Sequence, residues 1–206
     1  MQIQRLQPLM VATLTALAIP LAIAPPSLAR PGWDGPPIMA REAEKAFRDL
    51  SKAEYEGTRA KGIGGADTTL LSLGDRLLAT ARQQQQSNNY FAARETAKAA
   101  ARVYEAARNL AEARTGQAFL SRSYYDAPFV VSRELSRTEA EMAYYRGTNS
   151  TIRDLYNRGR QLAQPATLSA TTPPQTNGNI AYLATNRAAV QLLKAARHLM
   201  RAELGF

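Results

Sequence analysis

The 206-residue chain has no cysteine, one histidine and one tryptophan. Without cysteine there is no disulfide, no lipid on an N-terminal cysteine, no thiol catalysis, no covalent c-type haem and no iron–sulfur cluster. A lone histidine, His198, excludes a His-Glu-x-x-His zinc helix and a di-iron site built on two Glu-x-x-His pairs. There is no Gly-x-Ser-x-Gly elbow, and no Lys-Ser/Thr follows a glycine-rich loop. No apolar run reaches the ~20 residues that span a bilayer. Strand patterns are missing except in "APFVV" (127–131), where Asp126 and Pro128 read better as a helix start.

What is present begins with a leader. Arg5 precedes the uncharged run Leu9–Ala24, which is interrupted by Pro20 and followed by Pro25-Pro26. Ser27-Leu28-Ala29 then offers small residues before Arg30, the layout of a secretory signal over 1–29. The expected destination lies outside the cytoplasm: periplasm, thylakoid lumen or extracellular space. No twin-arginine pair precedes the run, so export of an unfolded chain is expected, with no cofactor loaded beforehand. Losing Arg5 with the leader takes the formal charge from +9 to +8. Arginine supplies 21 of the 26 basic residues and lysine only five. Such a surface favours phospholipid headgroups, anionic polysaccharide or an acidic protein. Export argues against nucleic acid.

Residues 30–37, "RPGWDGPP", read as an extended arm whose Trp33 is a candidate partner anchor. From 38 to 206 the pattern is helical throughout. Met39, Ala43, Ala46, Leu50 and Ala53 form a seam on a first helix that is expected to stop near Gly57. Asp67 suits the N-cap of a second helix, 68–87, which carries Leu70, Leu71, Leu78 and Ala81 inward. Asn88-Asn89 turns the chain into a third helix, 90–114, ending at Gly116. Its seam is Ala93, Ala97, Ala100, Tyr104, Ala107 and Ala111, small enough for close approach of a neighbour. The short turn makes this pair an antiparallel hairpin.

Asp126 is expected to cap a fourth stretch, with Pro128 in its first turn. Val131, Leu135, Thr138, Met142, Tyr145, Asn149, Ile152 and Tyr156 keep one register, predicting a continuous helix to Gln164; a kink near Gly147 is the alternative. A proline-rich loop follows Pro165. The last helix, 179–204, turns Ala181, Thr185, Ala189, Leu192, Ala196 and Leu199 inward. The sum is an all-α fold, an antiparallel four- to five-helix bundle with short hairpin turns.

On a helical wheel His198 falls beside Gln191 and Arg201, away from Leu192 and Leu199, so it is expected to face solvent. Glu139 and Glu141 are two apart, on different helix faces, poorly placed for shared acid–base work. "RAKGIGGADTT" (59–69) reads as a linker, although backbone N–H groups before a helix can hold an anion. Tyrosines adjoin arginine at Arg122, Tyr124, Tyr125 and at Tyr144, Tyr145, Arg146. These residues are candidate partner contacts, because arginine and tyrosine are enriched in interface cores. In each pair one tyrosine is expected to be core and the other to cap its edge. No catalytic, metal or cofactor residue is assigned.

"NNYFAARETAKAA" (88–100) resembles the second half of a tetratricopeptide repeat, with Tyr90, Ala93, Ala97 and Ala100 at its aromatic and small positions. Leu77 fits the preceding helix of that pattern, but Thr80, Ala81 and Gln84 depart from it, and no second copy is read. More broadly, "NYFAARETAKAAARVYEAA", "YYDAPF", "AYYRGTNS" and "AARHLMRAELGF" resemble a loose group of exported all-helical cyanobacterial proteins of uncharacterised role. That resemblance implies periplasm or thylakoid lumen and no activity. The expected function is a non-enzymatic binding, scaffold or assembly factor at the cell envelope or photosynthetic membrane. The alternatives are a carrier of a small apolar or tetrapyrrole ligand, and peripheral membrane contact by charge alone.

Overall fold

The structure, a computed structural model, describes residues 38–118, 121–163 and 177–205. The leader, the arm with Trp33 and most of the proline-rich loop lie outside the described residues. Seven helices and no strand are present among them: α1 Ile38–Lys61, α2 Thr68–Gln86, α3 Tyr90–Thr115, α4 Arg122–Tyr125, α5 Ala127–Tyr144, α6 Ser150–Leu162 and α7 Asn177–Leu204. No described helix is long and apolar enough to cross a membrane.

Local chemistry sets several ends. Asp67 accepts from the Leu70 N–H at 3.0 Å, and Asn89 from the Ala92 N–H at 3.3 Å, each satisfying an orphan donor of a helix start. Gly116 ends α3 in the left-handed region, at φ 66°.

Four expectations need correction. α1 runs through Gly57, because a Cβ there would lie 3.0 Å from the Tyr104 ring; the glycine serves packing. Met39, placed on the inward seam, is 67% exposed near the helix start. Asp126 makes no side-chain cap; it joins α5 to the one-turn α4, which the sequence reading omitted. The long fourth helix is two helices. Tyr145 leaves α5 in an extended conformation (ψ 116°), and its buried phenol donates to Glu203 of α7. The chain then doubles over that ring, where a Cβ on Gly147 would lie 2.2 Å from the Tyr145 Oη. Asn149 restarts the helix by accepting from the Thr151 N–H at 3.0 Å.

At the centre α3 and α7 cross antiparallel: Glu95 meets His198, and Arg102 meets Gln191. α1 and α2 pack on α3, while α5 and α6 pack on α7. Both central helices are therefore buried around most of their circumference, including Ala97, Ala100, Val103 and Tyr104 on α3 and Leu192, Leu193 and Ala196 on α7.

The two halves repeat one plan. In each, the first helix runs parallel to the third and joins it through a buried ion pair: Glu56–Arg108 at 2.9 Å and Glu134–Arg197 at 3.0 Å. In each, the N-cap of the second helix meets the last turn of the third, Asp67 with Arg114 and Asn149 with Glu203. Each third helix ends in a positive-φ glycine, Gly116 or Gly205, 89 residues apart. At that spacing 10 of the 27 positions from 90 to 116 match their partners, including "AAR-x-L" at 106–110 and 195–199. The α2–α3 hairpin thus has a second copy, α6–α7. A shorter α6 and a longer connection conceal it from a fixed-period search.

Candidate functional site

Most of the sequence-predicted contact residues do not assemble. Tyr124 is buried against Leu183 and Ala184, with its hydroxyl on Glu112, whereas Tyr145 is buried at the other end of α7 on Glu203. About 19 helical residues separate those docking points, roughly 28 Å at 1.5 Å per residue. Tyr125 and Tyr144 are exposed, 42% and 84%, and Arg122 and Arg146 are exposed beside them. One tyrosine of each pair is core and the other is outside. The two clusters are separate and form no common surface.

His198 is the main reversal. It does not face solvent; its Nδ1 lies 2.7 Å from Oε2 of Glu95, whose other oxygen accepts from Lys98 at 2.7 Å. The wheel assumed one inward seam, and α7 has packed neighbours on opposite sides. Burial holds the His198 pKa below its usual 6.5, against the pull of Glu95. Burial tends to raise the Glu95 pKa, but the hydrogen bonds from His198 and Lys98 prevail and bring it down to about 2. The glycine-rich 59–69 linker holds no free anion site, because Asp67 itself occupies the start of α2, with Arg114 and Arg158 upon it. Glu139 and Glu141 take different partners, Tyr156 and Arg197.

Positive charge gathers on one face instead. On α1 the ion pairs to α3 come from Glu42, Asp49 and Glu56, and those to α2 from Glu54 and Lys61. At 100° per residue, Arg41, Lys45, Arg48 and Lys52 project on the α3 side of α1, and the first three line a common hollow together with Glu44. Beyond them lie Lys98 and Arg102 on α3, Lys194 on α7, and Arg133 and Arg137 on the near edge of α5. Four of the five lysines are therefore on this face. The acids beneath, Glu56, Glu95, Glu105 and Glu134, are buried and already paired with arginine, lysine or histidine.

Over the α3–α7 crossing this face dips into a cleft of about 350 Å³, where Arg102, Arg187 and Lys194 meet Ala127 and Val130 of α5. Arg187 lies over the Tyr124 ring, 4.2 Å from its centroid, and donates to Ser123. Its Nε is buried with no hydrogen-bond acceptor among the described residues. Arg187 and Lys194 escaped the sequence reading. The 89-residue self-similarity would have marked Lys194, whose counterpart Glu105 has the opposite charge, whereas Arg187 keeps the charge of its counterpart Lys98.

Compared with protein-family models, curated proteins and solved structures, the chain matches none of them.

Proposed function

We propose that this is an exported, non-enzymatic helical bundle that acts as a binding, scaffold or assembly factor at the cell envelope or a photosynthetic membrane. Its cationic face is the docking surface, and its partner is an acidic protein or an anionic envelope component. One observation carries the reading: Glu56, Glu95, Glu105 and Glu134 of this face are buried and paired, while the exposed Lys45, Arg48, Lys52, Arg133 and Arg137 outnumber Glu44 and Asp126, the exposed acids beside them. Such an array attracts anionic partners over about one Debye length, ~8–10 Å at physiological salt. Buried ion pairs and close alanine contacts hold the face rigid, as a docking platform requires.

The carrier alternative gains nothing from the cleft over the α3–α7 crossing, which is lined by charged side chains. The test is retention of envelope fractions by the immobilised protein, compared with a Lys45→Glu/Lys52→Glu variant across salt concentrations. Salt-sensitive retention of the same component, lost in the variant, supports the proposal. Equal retention by both proteins, or none at low salt, refutes it.

A further inference from the structure

We propose that the cleft over the α3–α7 crossing binds the phosphate group of a small phosphate ester. This rests on the reading of the cationic face as a docking surface for anions and narrows it to one cleft and one chemistry.

The internal repeat supplies the argument. Arg187 of α7 corresponds to Lys98 of α3, 89 residues earlier. Lys98 is neutralised by two carboxylates, Glu95 at 2.7 Å and Asp49 at 3.8 Å. The first position corresponds at the same spacing to Ala184. The second corresponds to Ala127, at the 78-residue spacing that relates Glu56 to Glu134. Both replacements are buried alanines, so Arg187 keeps its charge and loses both counterions. What it has instead is neutral: the Ser123 hydroxyl and the Tyr124 ring.

Lys194 repeats the theme. Its counterpart is Glu105, so an acid in one half is answered by a base in the other. The half-buried Lys194 amine makes no hydrogen bond or ion pair among the described residues, and burial lowers its pKa against the pull of Glu134 and Glu105. Two carboxylates do line the cleft. Glu105 is held by Arg102 at 2.9 Å, and Asp126 is exposed, 3.7 Å from Arg122. Three cations against those two acids leave a net positive cleft in which neither Arg187 nor Lys194 has an ion-pair partner among the described residues.

A phosphate oxyanion suits those donors. A guanidinium offers directed N–H groups and an ammonium a compact charge, and both bind more strongly where water is partly excluded. The wall formed by Ala127, Val130 and Val190 is apolar, and the cleft is far larger than a bare phosphate. It accommodates the carbon body of an ester such as a phosphoglycerol. That chemistry occurs in free glycerol phosphates and in phosphatidylglycerol headgroups alike.

The experiment titrates the purified protein with glycerol 3-phosphate at low ionic strength, followed by calorimetry and amide NMR. Saturable one-to-one binding is expected, with shifts centred on Arg187 and Lys194. Lys194→Met should weaken it at least tenfold. Ala127→Asp, which restores a counterion that the first half carries, should abolish it; thermal unfolding checks that both variants fold. Absence of saturable binding up to about 10 mM, near the weak end of specific recognition, overturns the site. So does wild-type affinity in both variants. Lys45→Glu/Lys52→Glu should bind the ester normally, so loss of envelope docking and loss of ester binding are told apart. Retention on phosphatidylglycerol vesicles, competed by the free ester, identifies the headgroup as the source. Ester binding without vesicle retention identifies a soluble ester.

Discussion

Nδ1 of His198 sits 2.7 Å from Oε2 of Glu95, across the interface of the two central helices. The contact joins the two halves of the chain through a carboxylate that is 3% exposed.

Acid should therefore lower the stability of this protein over two pH ranges. The His198 pKa is lowered in the fold, so as pH falls below about 6.5 the unfolded chain takes up a proton that the folded one refuses. Glu95 is held at about 2 against an ordinary 4.5, so its contribution is complete above pH 4.5 and disappears as pH falls towards 2. At 1.36 kcal/mol per unit the Glu95 contribution is roughly 3 kcal/mol. Urea midpoints measured from pH 7 to pH 3 should decline, and Glu95→Gln should flatten the part below 4.5. An unchanged acid limb in that variant would refute the assignment. His198→Ala should cost about 1–2 kcal/mol at neutral pH, since it deprives a buried carboxylate of one hydrogen bond.

Gly74→Ala should destabilise, although alanine is the better helix former by about 1 kcal/mol. Its Cβ would lie 2.5 Å from the Tyr104 ring, which is pinned by a 2.6 Å hydrogen bond to Asp75. Overpacking of this kind costs about 1–3 kcal/mol. Combining Gly74→Ala with Tyr104→Leu should remove that clash, visible as a non-additive double-mutant cycle in thermal unfolding. Strict additivity would mean the ring is not the obstacle.

Arg197→Met should be among the most damaging single changes, at about 3–5 kcal/mol, because it strands Glu134 in the interior. Arg108→Met should cost less, because Glu56 keeps Arg59 at 3.6 Å. The double change Arg197→Met/Glu134→Leu should recover much of the loss. Denaturant unfolding decides; a double variant worse than the single one would contradict this account.

Ala97→Leu and Ala100→Leu should each destabilise by about 1–3 kcal/mol. Both side chains are completely buried on α3, where a larger group has no space to turn into. Melting temperatures equal to the parent would show the contact to be looser than described.

Features that depend on a few neighbouring residues were legible in the sequence. Asp67, Asn89 and Gly116 act where their types predict, because caps and left-handed glycines satisfy backbone groups within one turn. Helical content and the short hairpin were legible for the same reason: a periodic apolar pattern and a two-asparagine turn are local signals. The excess of arginine is likewise a sequence property.

Tertiary structure alone decided the rest. Gly57 breaks no helix because Tyr104 fills its space, and Gly147 sits at a break because Tyr145 fills the space there. His198 lies inward because α7 has neighbours on two sides, which no single-seam wheel can represent. The charge of Arg187 stands uncompensated only because Ala127 and Ala184 occupy the places of acids in the other half. A residue's meaning at these positions comes from partners up to about a hundred residues away, which the helical period of a single segment does not record.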